Sequence, residues 1–185
     1  MSVWDVIYRE QRLRWGLFPS LCAHLAAGSI ARRFPVGSSI IDIGAGYGRD
    51  VSFLSRILGE EYEISAIDSS VEAVRLWAEI FPQPSVSFVN ASIASHARTV
   101  RESFEHFDVV VSNYVLHLLP RSECITAVET IRAMLKPNGV FIFSLVNVTD
   151  ARRRCAVINL PAFVLKGGAH FVQRLSSARS RSAAF

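Results

Sequence analysis

The stretch Asp42-Ile43-Gly44-Ala45-Gly46-Tyr47-Gly48-Arg49-Asp50 decides how this chain is read. It follows the apolar run Ser39-Ile40-Ile41, and it leads into Val51, Leu54 and Leu58, which recur at helical spacing before Gly59. The pattern is a buried strand, a glycine-rich turn and a helix. Glycines at such a turn let the backbone come close to a ligand. The first turn of the following helix offers unpaired N–H groups.

Outward from this turn the pattern alternates. Strands are expected at 63–68, 86–89, 107–112 and 140–146. Amphipathic helices fall between them, one capped by Ser69 or Ser70 and ended by Pro82, another capped by Ser122 and closed by Lys136-Pro137-Asn138-Gly139. Short apolar strands alternating with helices predict an α/β fold, a doubly wound and mostly parallel sheet covered on both faces. Ligands in such sheets lie at the carboxyl ends of the strands, where strand order reverses.

Upstream, helical stretches are expected near 2–14 and 20–33, the second carrying Leu21, Leu25, Ile30 and Phe34. Three units follow: a helical lead-in or lid over 1–35, a core over 36–148 and a tail over 149–185. The tail reads poorly as strand. Ala151-Arg152-Arg153-Arg154 is a weak start, Pro161 interrupts the next apolar run, and 176–185 is low in complexity. Any strands after the fifth are therefore expected to be doubtful or missing. The uncovered fifth strand would then be an edge for a partner or a second copy, as in a homodimer.

Charge is unevenly spread. Residues 1–150 hold 13 Lys and Arg against 16 Asp and Glu, whereas 151–185 hold seven bases and no acid. A solvated basic end is the expectation, with contact to nucleic acid the less favoured one. Half of the residues are apolar and 19% are charged, which predicts a folded domain. No apolar run reaches the roughly 20 residues of a membrane span. Cys22, Cys124 and Cys155 share no metal or redox spacing, and the five histidines have no ligand spacing with them, so no metal site is expected. A cytoplasmic location is expected.

Two cofactor classes compete for the turn. A dinucleotide fingerprint needs glycine at the first, third and sixth positions. Here Gly44, Gly46 and Gly48 take the first, third and fifth, and bulky Arg49 takes the sixth. Asp42 would be unfavourable beside a pyrophosphate but favourable beside an ammonium group. Asp68 ends the second strand, placed either to accept the hydroxyls of a ribose or to cap the next helix.

Asp-Ile-Gly-Ala-Gly-Tyr-Gly at 42–48, Ala-Ile-Asp-Ser-Ser at 66–70, Phe-Asp-Val-Val-Val-Ser-Asn at 107–113 and Leu-Lys-Pro-Asn-Gly at 135–139 stand in the order and spacing of one family. Together they resemble the class I methyltransferases that use S-adenosylmethionine (SAM). The lead-in residues Trp4-Asp5, Tyr8, Trp15-Gly16 and Pro19 are similar, more weakly, to small-molecule and tellurite-resistance-type members.

The resemblance implies SAM as cofactor and methyl transfer to a small-molecule acceptor. It implies that Gly44, Gly46, Tyr47 and Gly48 pass under the methionine part. Asp42 would order the turn and face the ammonium, and Asp68 would hold the ribose with Ser69 beside the adenine. Asn90, Ala91 and Ser92 would edge the adenine, and Ser112, Asn113 and Tyr114 would lie near the transferred methyl. Catalytic work is expected from His117, the best base by titration range, and from Tyr114. Tyr8 and Trp15 are candidates for a lid. Two other readings stand beside this one: an RNA or protein methyltransferase using the basic tail, and a SAM-fold module without turnover.

Overall fold

The computed structural model describes residues 2–95, 106–146 and 153–158. Six strands form one sheet in the order β3-β2-β1-β4-β5-β6. They are β1 (Ser39–Ile43), β2 (Glu63–Asp68), β3 (Val86–Asn90), β4 (Phe107–Asn113), β5 (Leu135–Val146) and β6 (Arg153–Ile158). The helices are α1 (Val3–Gln11), α2 (Leu21–Arg33), α3 (Arg49–Leu58), α4 (Val71–Ile80) and α5 (Arg121–Met134). Strands β1 to β5 run parallel, as the alternating pattern predicts.

The period of two within each strand builds two separate cores. Ile40, Val109, Val111, Val140 and Ile142 face α2 and α3. Ile41, Ile43, Val110, Phe141 and Phe143 face α5. All five residues of β1 are buried, which is the signature of a central parallel strand. Among the described residues, β1 lies between β2 and β4, so strand order reverses there.

The late part of the sheet differs from the expectation. β6 pairs antiparallel with β5, from Val146↔Arg153 to Phe141↔Ile158. Arg153 and Arg154 of the poor strand start thus lie inside a strand, and β6 covers the edge expected to await a partner. Residues 159–185 lie outside the described ones, and with them most of the predicted tail. β5 is bounded from Leu135, which pairs with Phe107, but residues 136–139 bulge out with Asn138 left-handed at φ 66°, and continuous pairing with β4 resumes at Val140, where the strand was expected. A register shift between Phe107 and Val109 accommodates it.

Two smaller expectations are corrected. α5 is capped at Pro120 rather than Ser122. In α2 the buried side is Cys22, Ala23, Ala26, Ala27 and Ile30, while Leu21 and Leu25 are exposed. Small residues let this helix lie close to α3 and the sheet, so the alanine stripe outweighs the leucines.

Candidate functional site

A crevice opens at the carboxyl ends of β1, β2 and β4, where strand order reverses. Asp42, Gly44, Ala45, Gly46 and Tyr47 line it from the turn after β1, and Asp68 and Ser69 from the end of β2. Asn113, Tyr114, Val115, Leu118 and Leu119 line it after β4. Trp4, Tyr8 and Trp15 line it from the lead-in, and Arg49 and Asp50 from the start of α3.

The glycine turn has a left-handed backbone, with φ of 70° at Gly44, 59° at Gly46 and 80° at Gly48. Such angles are costly for residues with a Cβ. The turn is held by β2, since Ile67 O accepts the N–H of Gly44 (2.8 Å) and of Ala45 (3.1 Å). Asp68 Oδ2 accepts the N–H of Gly46 at 2.8 Å, and its Oδ1 accepts that of Ser70 at 2.8 Å. Ser70, not Asp68, caps α4 by accepting from Ala73 N–H at 3.2 Å. Burial raises the pKa of Asp68 despite these two bonds.

Asp42 behaves differently from the expectation that it orders the turn. It is 2% exposed, and neither carboxylate oxygen has a hydrogen-bond partner. Burial, with Asp50 and Asp68 nearby, pushes its pKa well above the usual carboxylate range. A buried polar group without a protein partner costs free energy.

The other predicted residues are distributed as follows. Ser112 is buried, and its hydroxyl donates to Ile43 O at 3.1 Å across the sheet, so it does not line the crevice. One residue on, Asn113 and Tyr114 do line it, as the alternation of a strand requires. Asn90 is exposed and donates its amide to Asp68 O at 2.9 Å, and Ala91 N–H donates to the same carbonyl. Neither lines the crevice. His117 is exposed, lies outside the lining, and packs edge-on to the Tyr114 ring at 6.1 Å. Desolvation lowers its pKa. Tyr114 itself is left-handed, with φ of 61°, an uncommon state for a bulky residue and one that clusters at functional sites.

The lead-in is bound to this machinery. Tyr47 donates its hydroxyl to Gly16 O at 2.7 Å and accepts from Trp15 N–H at 3.0 Å. Arg49 donates to Trp15 O at 2.6 Å. Asp5 accepts the Ser70 hydroxyl at 2.7 Å, and Arg9 pairs with Glu72 at 2.8 Å. Asn113, expected beside Ser112 and Tyr114, lines the crevice, and Trp4 and Asp50 line it without having been expected there. The signal for Asp50 was position alone, in the Gly48-Arg49-Asp50 end of the turn.

Among the described residues no group of three or more His, Cys, Asp or Glu is placed to hold a metal ion. No described helix is long and apolar enough to cross a membrane.

A doubly wound sheet with a glycine turn, an acid ending β2 and a crevice at the switch point defines a class I methyltransferase architecture. A family model described as methyltransferase domain matches residues 40–139, more than half of the chain, and the chain belongs to that family. It is 32% identical to mouse (Mus musculus) arsenite methyltransferase over 114 residues, covering 57% of this chain and 30% of that protein. The chain thus spans about a third of that relative's length. Among solved structures, it is similar to the CurJ carbon methyltransferase with a TM-score of 0.60 and 18% identity, over 68% of this chain and 35% of that one. The plantazolicin methyltransferase BpumL, solved in complex with SAH, gives a TM-score of 0.54 and 21% identity, over 68% of this chain and 46% of that one.

Proposed function

We propose that this chain binds SAM in the crevice and directs its methyl group to a small-molecule acceptor by in-line displacement. The observation that carries the reading is Asp42: a carboxylate in the crevice wall, buried and without a protein partner, beside a glycine turn. An ammonium group would supply the missing charge and donors. The dinucleotide alternative offers no such group, since a pyrophosphate would meet Asp42 with like charge.

The remaining residues fit the same ligand. Asp68 uses one acceptor site on each oxygen for Gly46 and Ser70, and each oxygen keeps a second for a ribose hydroxyl. Asn90 is pinned through its NH2, which leaves Oδ1 to accept from an adenine amino group. Gly44 and Gly46 carry no Cβ into the crevice. When bound, SAM supplies a methyl group already activated by its sulfonium. The chain's task is alignment, which supplies up to about 7–11 kcal/mol in favourable model reactions. Tyr114, held left-handed, and Trp15 flank the acceptor. His117, outside the lining and edge-on to the Tyr114 ring, supports that ring rather than serving as a base. The lead-in over 1–35 acts as the lid.

Among the described residues the crevice offers no thiolate to arsenite, the substrate in that relative's name. Soft ions are held by thiolates. Cys22 and Cys124 are buried in the two cores, and neither lines the crevice. A small organic acceptor in the cytoplasm fits better.

Calorimetry with SAM and with NADH tests the cofactor. SAM is expected to bind and NADH to give no heat. Label transfer from methyl-labelled SAM to a panel of uncharged thiols, phenols and amines then tests turnover. Binding without label transfer would reduce the protein to a binding module, and binding of NADH alone would refute the reading.

A further inference from the structure

Asp50, the second residue of α3, joins two parts of the chain that are far apart in sequence. Its Oδ1 accepts Ser20 N–H at 2.7 Å, and its Oδ2 accepts the Ser20 hydroxyl at 2.7 Å. The same Oδ2 accepts the Asn113 side-chain amide at 2.9 Å. Asn113 is clamped from its other side by the hydroxyl of Ser144. The next residue is the left-handed Tyr114, whose N–H donates to Ser144 O at 3.1 Å. Asp50 is 4% exposed, and Arg49, which ties down Trp15 O, lies 3.4 Å from it.

One buried carboxylate therefore fastens the lead-in to the loop after β4. Hydrogen bonds to a buried charge are among the stronger ones, and bonds that share an acceptor are coupled. We propose that Asp50 is a positioning residue: it couples the seating of the Trp15–Ser20 segment to the conformation of Asn113 and Tyr114 on the acceptor side of the crevice. A ligand that orders one segment then orders the other, so the lid closes and the acceptor side is set in one step. The proposal rests on the function above for its ligand, but the coupling belongs to the protein alone.

The test is a cycle of Ser20→Gly and Asn113→Ala, read by calorimetry with S-adenosylhomocysteine and by amide exchange. Glycine keeps a serviceable helix cap at position 20, so the lost hydroxyl is what is measured. Each single change is expected to weaken binding at least about 10-fold, the loss of one hydrogen bond to a charge. The double variant is expected to be little weaker than the worse single one. In an Asp50→Ala background, either change is expected to matter less than about twofold. Asp50→Asn, which keeps one acceptor oxygen, is expected to fall between wild type and Asp50→Ala, and it serves if the alanine variant does not fold. Without ligand, Ser20→Gly is expected to speed exchange at the Tyr114 amide several-fold. Additive effects, coupling that survives the loss of Asp50, or an unchanged Tyr114 amide would each overturn the proposal. Failure of the wild type to bind S-adenosylhomocysteine would instead count against the cofactor, and the exchange experiment would still decide the coupling.

Discussion

Asp68 Oδ2 accepts the N–H of Gly46 at 2.8 Å, so the acid that ends β2 also pins the glycine turn after β1. The bond ties the two halves of the crevice together before any ligand arrives. It also means that the carboxylate has two tasks, holding the turn and offering its remaining lone pairs outward.

Gly46 and Gly48 should fail in different ways when given a Cβ. At Gly48 the added atom would lie 2.1 Å from the Trp77 ring, inside the core. At Gly46 it would lie 2.8 Å from the Tyr8 hydroxyl, the far end of a side chain over the crevice. Gly48→Ala is therefore expected to cost stability, about 2–4 kcal/mol from overpacking and left-handed strain. Gly46→Ala is expected to cost about 1–2 kcal/mol in stability and most of the SAM affinity. Thermal melts beside calorimetry separate the two; equal loss of stability would contradict the assignment.

Asp42 should make the free protein less stable as pH rises. Its folded pKa is raised by burial, so the group stabilises the fold only below its unfolded value, and that contribution is lost as pH rises through the folded pKa. Asp42→Asn is expected to raise Tm at pH 7 and to leave it unchanged near pH 3.5. The same variant is expected to weaken SAM binding at pH 7. Below the raised folded pKa of Asp42, binding to the wild type should release a proton, seen as a buffer-dependent heat. A variant that is no more stable at pH 7 would contradict this account of Asp42.

The latch of α1 has the opposite sign. The Ser70 hydroxyl bonded to Asp5 holds that carboxyl far below the usual range. Its contribution is complete above the unfolded value, near 4, and is lost as pH falls below it. Asp5→Ala is expected to loosen α1 by about 1.5–3 kcal/mol, the worth of hydrogen bonds to a charge. Trypsin cleavage at Arg9 and Arg12 should then run at least about tenfold faster at pH 7. Unchanged cleavage would mean that the pairs Arg9–Glu72 and Arg12–Glu79 hold the helix without Asp5.

The sheet was legible because buried parallel strands read as apolar runs, and Ser39–Ile43 and Glu63–Asp68 stand where the pattern puts them. β6 was not legible. Its pairing with β5 comes from tertiary context, and the arginines that begin it argue against a strand locally. On α2, leucine spacing pointed to the wrong face because close packing there needs alanine. In the crevice, the glycine turn, Asp42 and Asp68 carried their own signal. Ser112 missed the crevice by one residue, and in a strand one residue is a change of face. Asp50 gave no signal alone, because its role lies in contacts across 30 and 63 residues of sequence, with Ser20 and Asn113.

Titration of S-adenosylhomocysteine into the wild type and Asp68→Ala, with circular dichroism on both, addresses the central claim most directly. The account predicts saturable binding to the wild type and at least about 100-fold weaker binding to the variant, from two lost hydrogen bonds to a charged acceptor. The secondary structure should be retained. Equal affinity in both proteins, or no binding to either, would contradict it.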